Sequence, residues 1–130
     1  MDVNWMAVIA AAVSSFGLGG LWYGPLFGTP WMKAAGVSDV QLRAGNLPLI
    51  FGGSFILALI AAASFAVFLG PEVNATTGAL YGATAGVCWV ASSFGINYLF
   101  ERKSMRLFCI NGGYHAIQFT LIGLILGAWR

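Results

Sequence analysis

The residues of this chain best suited to chemistry lie in one short run, Asn111-Gly112-Gly113-Tyr114-His115-Ala116-Ile117-Gln118. Asn111, His115 and Gln118 follow i, i+4, i+7 spacing, so a helix places them on one face with Tyr114 beside them. His115 is the sole histidine, and imidazole is the side chain that changes charge nearest neutral pH. Asn97 and Tyr98, upstream of a short charged turn, are placed to meet this face from a neighbouring helix. The set could hold a ligand or pass a proton. Equally, it could hydrogen-bond within itself and tie two helices together. One histidine is too few for most metal sites. No acidic residue lies within an apolar segment, so neither a carboxylate-driven proton pump nor a nucleophile–base–orienter triad can be assembled. The expectation is a non-enzymatic protein with no cofactor.

The elements that carry these residues are set by where charge is missing. The chain has 130 residues, 59% of them hydrophobic and 8% charged, against roughly 25% charged in an average soluble domain. No charged residue falls within Val3–Met32, Ala44–Pro71, Val73–Phe100 or Leu107–Trp129. Each gap exceeds the ~20 residues a helix needs to cross a bilayer. The expected architecture is all-α: a polytopic bundle of four transmembrane helices in one domain, over about 4–23, 47–69, 77–100 and 105–129. A net charge of +2, with the charges in loops, offers no stripe for nucleic acid.

Trp5, Trp22, Tyr23, Trp31 and Trp129 have amphipathic rings suited to headgroup depth, and they are expected as interfacial anchors. Pro25 and Pro30 are expected to stop the regular helix. Residues 28–46 then form a loop, in which Ser38 and Gln41 have the spacing of a capping box for a short surface helix over 38–44. Asn74-Ala75-Thr76 resembles a glycosylation acceptor, but so close to the membrane it reads better as a helix cap. Cys88 and Cys109 fall at different depths and read as apolar fillers rather than a disulfide. The loops on one side carry Lys33, Arg43, Arg102, Lys103 and Arg106, and the other side carries Arg130. The positive-inside bias puts both termini outside the cytoplasm.

Small residues recur where helices could touch. Gly78, Gly82 and Gly86 repeat every four residues, and Gly123 and Gly127 share a face with Ala116 and Thr120. Such stripes admit a second backbone, either inside one bundle or between copies in a homo-oligomer, with a dimer favoured. A weak repeat suggests two tandem helical hairpins: Ser14-Ser15-Phe16-Gly17 echoes Ser92-Ser93-Phe94-Gly95, and Ile50-Phe51-Gly52-Gly53 echoes Ile110-Asn111-Gly112-Gly113.

Several stretches together resemble a known family. They are Asn4-Trp5-Met6-Ala7-Val8, Leu21-Trp22-Tyr23-Gly24-Pro25-Leu26-Phe27-Gly28 with Trp31-Met32-Lys33, Asn97-Tyr98-Leu99-Phe100-Glu101, and Ile110-Asn111-Gly112-Gly113-Tyr114-His115. In motif order and over nearly the whole chain, it is similar to the family called domain of unknown function 1761. That resemblance implies a small integral protein of the bacterial inner membrane, with no catalytic residues to carry over. Three functions stand as expectations. The first is a self-associating or accessory membrane subunit. The second is a small transporter or channel with a polar path at Asn97, Asn111, Tyr114, His115 and Gln118. The third is a lipid or quinone site near Trp22 and Tyr23.

Overall fold

The computed structural model describes residues 3–129, and every regular element in it is helical. Six helices run in order: α1 (Trp5–Leu26), α2 (Gly28–Ala35), α3 (Asp39–Ala44), α4 (Leu47–Leu69), α5 (Ala75–Glu101) and α6 (Met105–Ala128). α1, α4, α5 and α6 are 22, 23, 27 and 24 residues long and apolar enough to cross a membrane. The chain is a multi-pass membrane protein.

Each spanning helix begins at a side chain that accepts from a backbone N–H otherwise left without a partner. Asn4 accepts from Ala7 N, Asn46 from Leu49 N, Asn74 from Thr77 N and Ser104 from Leu107 N. The Asn74-Ala75-Thr76 triplet is thus a helix cap in this structure. Asn4 also donates through Nδ2 to the Trp129 carbonyl at 2.9 Å, which ties the two ends of the bundle together. Arg130, expected as a far anchor, lies outside the described residues.

The stretch after Trp22 differs from expectation. Regular α-helix does end at Leu21, yet Pro25 does not end α1. It sits in a π-helical segment, Trp22–Leu26, that closes with Phe27 N donating to Trp22 O at 2.8 Å. A wider turn skips the hydrogen bond that proline cannot make. Pro30 does not interrupt structure either. It lies in the first turn of α2, where backbone N–H groups have no partner in any case. Residues 28–35, expected as loop, are therefore helical and end at Gly36, which takes the left-handed conformation at φ 73°. α3 comes next with its Ser38–Gln41 capping box complete. α5 carries a second π segment, Ala85–Ala91.

α6 is the centre of the bundle. It runs along α5 on one side and packs against α1 on another, while α1 also packs against α4. The helices thus pair in sequence order as two hairpins, α1–α4 and α5–α6. The tight core sits toward the termini, where Ala7, Val8, Ala11, Ala62, Phe65, Ala66, Ile122 and Leu126 are buried together. α4 is packed only over its second half. From Ala58 on it buries Ala58, Ala62, Phe65, Ala66 and Leu69, whereas Leu47, Leu49, Ile50, Phe51, Ile56 and Leu57 are exposed. Cys88 and Cys109 are unpaired and exposed on the outside of the bundle, so neither fills its interior.

Candidate ligand-binding site

α6 has two working faces, and its residue types explain both. On one face Gly123 and Gly127 meet α5 backbone to backbone. A methyl group at Gly82 would strike the Phe119 carbonyl, one at Gly78 the Gly123 carbonyl, and one at Gly127 the Asn74 carbonyl. A Cβ at Gly86 would lie 2.7 Å from Ala116 Cα. No side chain fits there, so the glycines set the helix separation. Thr120 folds its hydroxyl back onto the Ala116 carbonyl at 2.7 Å and stays out of the seam. The glycine faces are thus taken up inside one chain, and a dimer using them would have to open this seam.

The Asn111-Gly112-Gly113 run does related work at the other end. Gly112 faces Ala91 of α5, whose Cβ would stand 3.3 Å from a methyl group placed there. Gly113 faces α1, where the Trp22 ring lies so close that a Cβ would stand 3.1 Å away. Trp22 uses that space to donate from Nε1 to the Ile110 carbonyl at 2.8 Å. Tyr23 donates to Asn111 Oδ1 at 2.6 Å, and Asn111 Nδ2 donates to Tyr98 at 2.7 Å. Asn111 therefore joins three helices. Trp22, Tyr23 and Trp31, expected at headgroup depth, are half-buried and turned inward: Trp31 packs edge-on against Tyr23 with ring centroids 5.7 Å apart. Trp5 and Trp129 are exposed at the termini end. In lipid the Trp22 indole N–H, the Tyr23 hydroxyl and the Asn111 amide each need a partner, and that need draws the rings of α1 inward.

His115 is bonded within its own helix and not to Asn97 or Asn111. Its Nδ1 is 2.6 Å from Gln118 Oε1, one turn along the same helix. Asn111 is occupied by the two tyrosines, and Asn97 is exposed in a shallow groove with Trp89, Ser93 and Phe94. The imidazole is stacked on Phe94 at 5.1 Å and meets the edge of Tyr114 at 4.8 Å. Tyr114 donates to the Ser15 carbonyl at 2.9 Å and locks α6 to α1. The structure brings Tyr98, Asn111, Tyr114, His115 and Gln118 into one region and leaves Asn97 outside it.

The polar face borders a cavity of about 1070 Å³ between α1, α4 and α6, on the side where the α1–α4 connection crosses. Its wall on α6 is Tyr114, His115, Gln118 and Phe119. On α1 it runs from Ser15 and Phe16 through Gly19 and Gly20 to Tyr23. α4 contributes Phe51, Ser54, Leu57, Ala58 and Ala61, and Thr29, Trp31 and Met32 of α2 close one end. Phe16 holds the splayed part of α4 at a distance, through edge contacts to Phe51 at 6.1 Å and Phe55 at 5.7 Å. Among the described residues no Asp, Glu, Lys or Arg lines the space. Among the described residues no group of three His, Cys, Asp or Glu could hold a metal ion. The sequence does not single out Ser15, Thr29, Ser54 or Trp31 as cavity residues, because a lone hydroxyl or ring in an apolar segment carries no pattern.

The profile of a family described as protein of unknown function (DUF1761) matches residues 6–127. The chain belongs to the DUF1761 family. No curated protein and no solved structure matches it. The match includes every described residue of both α6 faces and of the cavity. In this DUF1761 chain the Trp22-Tyr23-Gly24-Pro25 and Asn111-Gly112-Gly113-Tyr114-His115 stretches are joined by direct hydrogen bonds between α1 and α6.

Proposed function

We propose that this chain is a non-enzymatic intramembrane binding protein that holds an amphiphilic molecule in the cavity between α1, α4 and α6. The observation that supports this is the cavity itself. It has apolar walls, a volume at the upper end of the ~300–1,000 Å³ typical of small-molecule sites, and a few polar groups gathered on one side. The uncharged lining weighs against an ion path, since membrane ion pathways are marked by charged or carbonyl-lined constrictions. Identification of co-purifying small molecules by native mass spectrometry tests the proposal. Ala58 is buried and lines the cavity. Ala58→Phe should therefore fill the space and abolish a bound mass that wild type retains. Retention of the same ligand by Ala58→Phe would sink the proposal.

We further propose that both termini face away from the cytoplasm. The adjacency of Asn4 and Trp129 supports a common side for the two ends, and the five-to-one Lys/Arg bias supports which side it is. The cavity then opens toward the cytoplasmic leaflet. A reporter active only in the cytoplasm should work when inserted at Gly36 and fail when fused after Arg130. The reverse pattern would contradict this orientation.

A further inference from the structure

We infer that the ligand head is an uncharged hydroxyl group, bound between His115 and Gln118; this deepens the binding function proposed above and rests on it. Two polar atoms on the cavity wall stand without partners. Gln118 is buried, with 6% of its surface exposed, yet its side chain takes part in one hydrogen bond, in which Oε1 accepts from His115 Nδ1. Among the described residues its amide nitrogen has no partner, and neither has His115 Nε2. Among the described residues, no fully buried side-chain nitrogen or oxygen lacks a partner. Both free atoms are therefore open, and both residues line the cavity.

The pair dictates what can sit there. Oε1 only accepts, so Nδ1 carries the proton and Nε2 of the neutral ring is an acceptor. The Gln118 amide offers a donor. The cavity wall thus presents one acceptor and one donor on residues already bonded to each other. If the Gln118 amide were turned over, the roles of the two free atoms would exchange and the pair would still present one of each. A hydroxyl is the smallest head that satisfies both, donating to one atom and accepting from the other. A quinone carbonyl, an ether or an ester only accepts, and leaves one atom without a partner in a water-poor site. A phosphate or other ionised head would meet no counter-charge among the described residues, none of which brings a charged side chain to the space. The Phe94–His115 stack and the Tyr114 edge hold the imidazole in place, so the acceptor is fixed before the ligand arrives. The remaining walls are apolar and suit a hydrocarbon or isoprenoid tail.

The hydroxyl could come from an acylglycerol or from a quinol, and two matched pairs of probes separate these sources. The first pair is 1-monooleoylglycerol against methyl oleate. The second is a decyl-substituted benzoquinol against its quinone. Binding to wild-type protein in nanodiscs is followed by native mass spectrometry, with each probe titrated separately. In at least one pair the hydroxylated member should bind at least about tenfold tighter than its acceptor-only partner. The pair that shows this names the source. Gln118→Leu should bring that pair to equality. Suppose both members of each pair bind equally and Ala58→Phe abolishes all binding. The cavity then takes amphiphiles but the hydroxyl inference is overturned. If no probe binds, or if binding survives Ala58→Phe, the binding function fails as well. The pairwise comparison needs wild-type protein only, so a variant that does not fold leaves the test intact.

Discussion

The two faces of α6 meet their neighbours in opposite ways. Toward α5, Gly123 and Gly127 bring backbones into contact and no side chain intervenes. Toward α1 and α4, His115 and Gln118 border open space, while Tyr114 beside them reaches α1 through its hydrogen bond to the Ser15 carbonyl. The lipid solvent explains why one helix carries both. Burying apolar side chains supplies no drive for helix association in a bilayer, so contact must come from close packing or from polar pairs. The glycine face uses the first. The polar face uses the second where Tyr23, Asn111 and Tyr98 meet, and it keeps unpaired donor and acceptor atoms where the cavity begins. Close packing and open space are thus separated around one helix rather than along the chain.

The largest effect should come from breaking the glycine seam. Gly82→Leu must displace the Phe119 backbone rather than a pliable side chain. Overpacking of this kind costs roughly 3 kcal/mol or more where backbone has to move. Thermal unfolding in detergent should show the loss as a collapse of the folded fraction. Gly17→Leu is the matched control, because Gly17 is exposed with open space around it. It should unfold at or above the wild-type temperature, since leucine is the better helix former. Equal behaviour of the two variants would remove the seam as the structural half of the comparison.

A smaller effect is expected on the polar face. His115→Leu removes the partner of Gln118 Oε1 and leaves a buried amide with no hydrogen bond. The expected cost is about 1–3 kcal/mol, measured by the same unfolding assay, with the α5–α6 seam intact by cysteine crosslinking across it. His115→Leu combined with Gln118→Leu should recover part of the loss, because both polar partners are then gone. A double variant that is less stable than the single one would mean that the pair is not isolated.

The membrane spans and the two faces of α6 were legible because each rests on a periodic or excluded pattern. Missing charges mark the spans, four-residue glycine spacing marks the seam, and i, i+4, i+7 spacing marks the polar face. Whatever depends on the rotation of one helix against another was not legible. The π segment Ala85–Ala91 inserts an i→i+5 turn into α5. One extra residue rotates the remainder of α5 by about 100°. Phe94 and Tyr98 then meet α6, and Asn97 turns away. No residue in Ala85-Gly86-Val87-Cys88-Trp89-Val90-Ala91 announces that insertion. Pro25 did announce a disturbance in α1, but a stop and a π turn satisfy the missing N–H equally well. Only the tertiary need of the Trp22 indole N–H, the Tyr23 hydroxyl and the Asn111 amide for partners selects the continuous helix that brings Trp22 and Tyr23 inward. The cavity was illegible for a related reason. It arises where α4 is held off by Phe16, and apolar residues that face a void look the same in sequence as apolar residues that face lipid.

The smallest expected effect tests whether the polar face really divides into a structural part and an open part. Tyr23→Phe deletes one hydroxyl and leaves the ring, its edge contact to Trp31 and its place on the cavity wall. Asn111 loses the donor to Oδ1 but keeps its own bond to Tyr98. A hydrogen bond between membrane helices contributes ~0.6 kcal/mol on average and up to ~1.7. The Tyr23 bond is short, so the expected loss lies toward the upper part of that range. It should appear as a small drop in unfolding temperature with no change in ligand retention, because the unpaired atoms belong to His115 and Gln118. Ligand lost from Tyr23→Phe at unchanged stability would place the phenol among the binding groups. The boundary between the two parts would then move from α6 to α1.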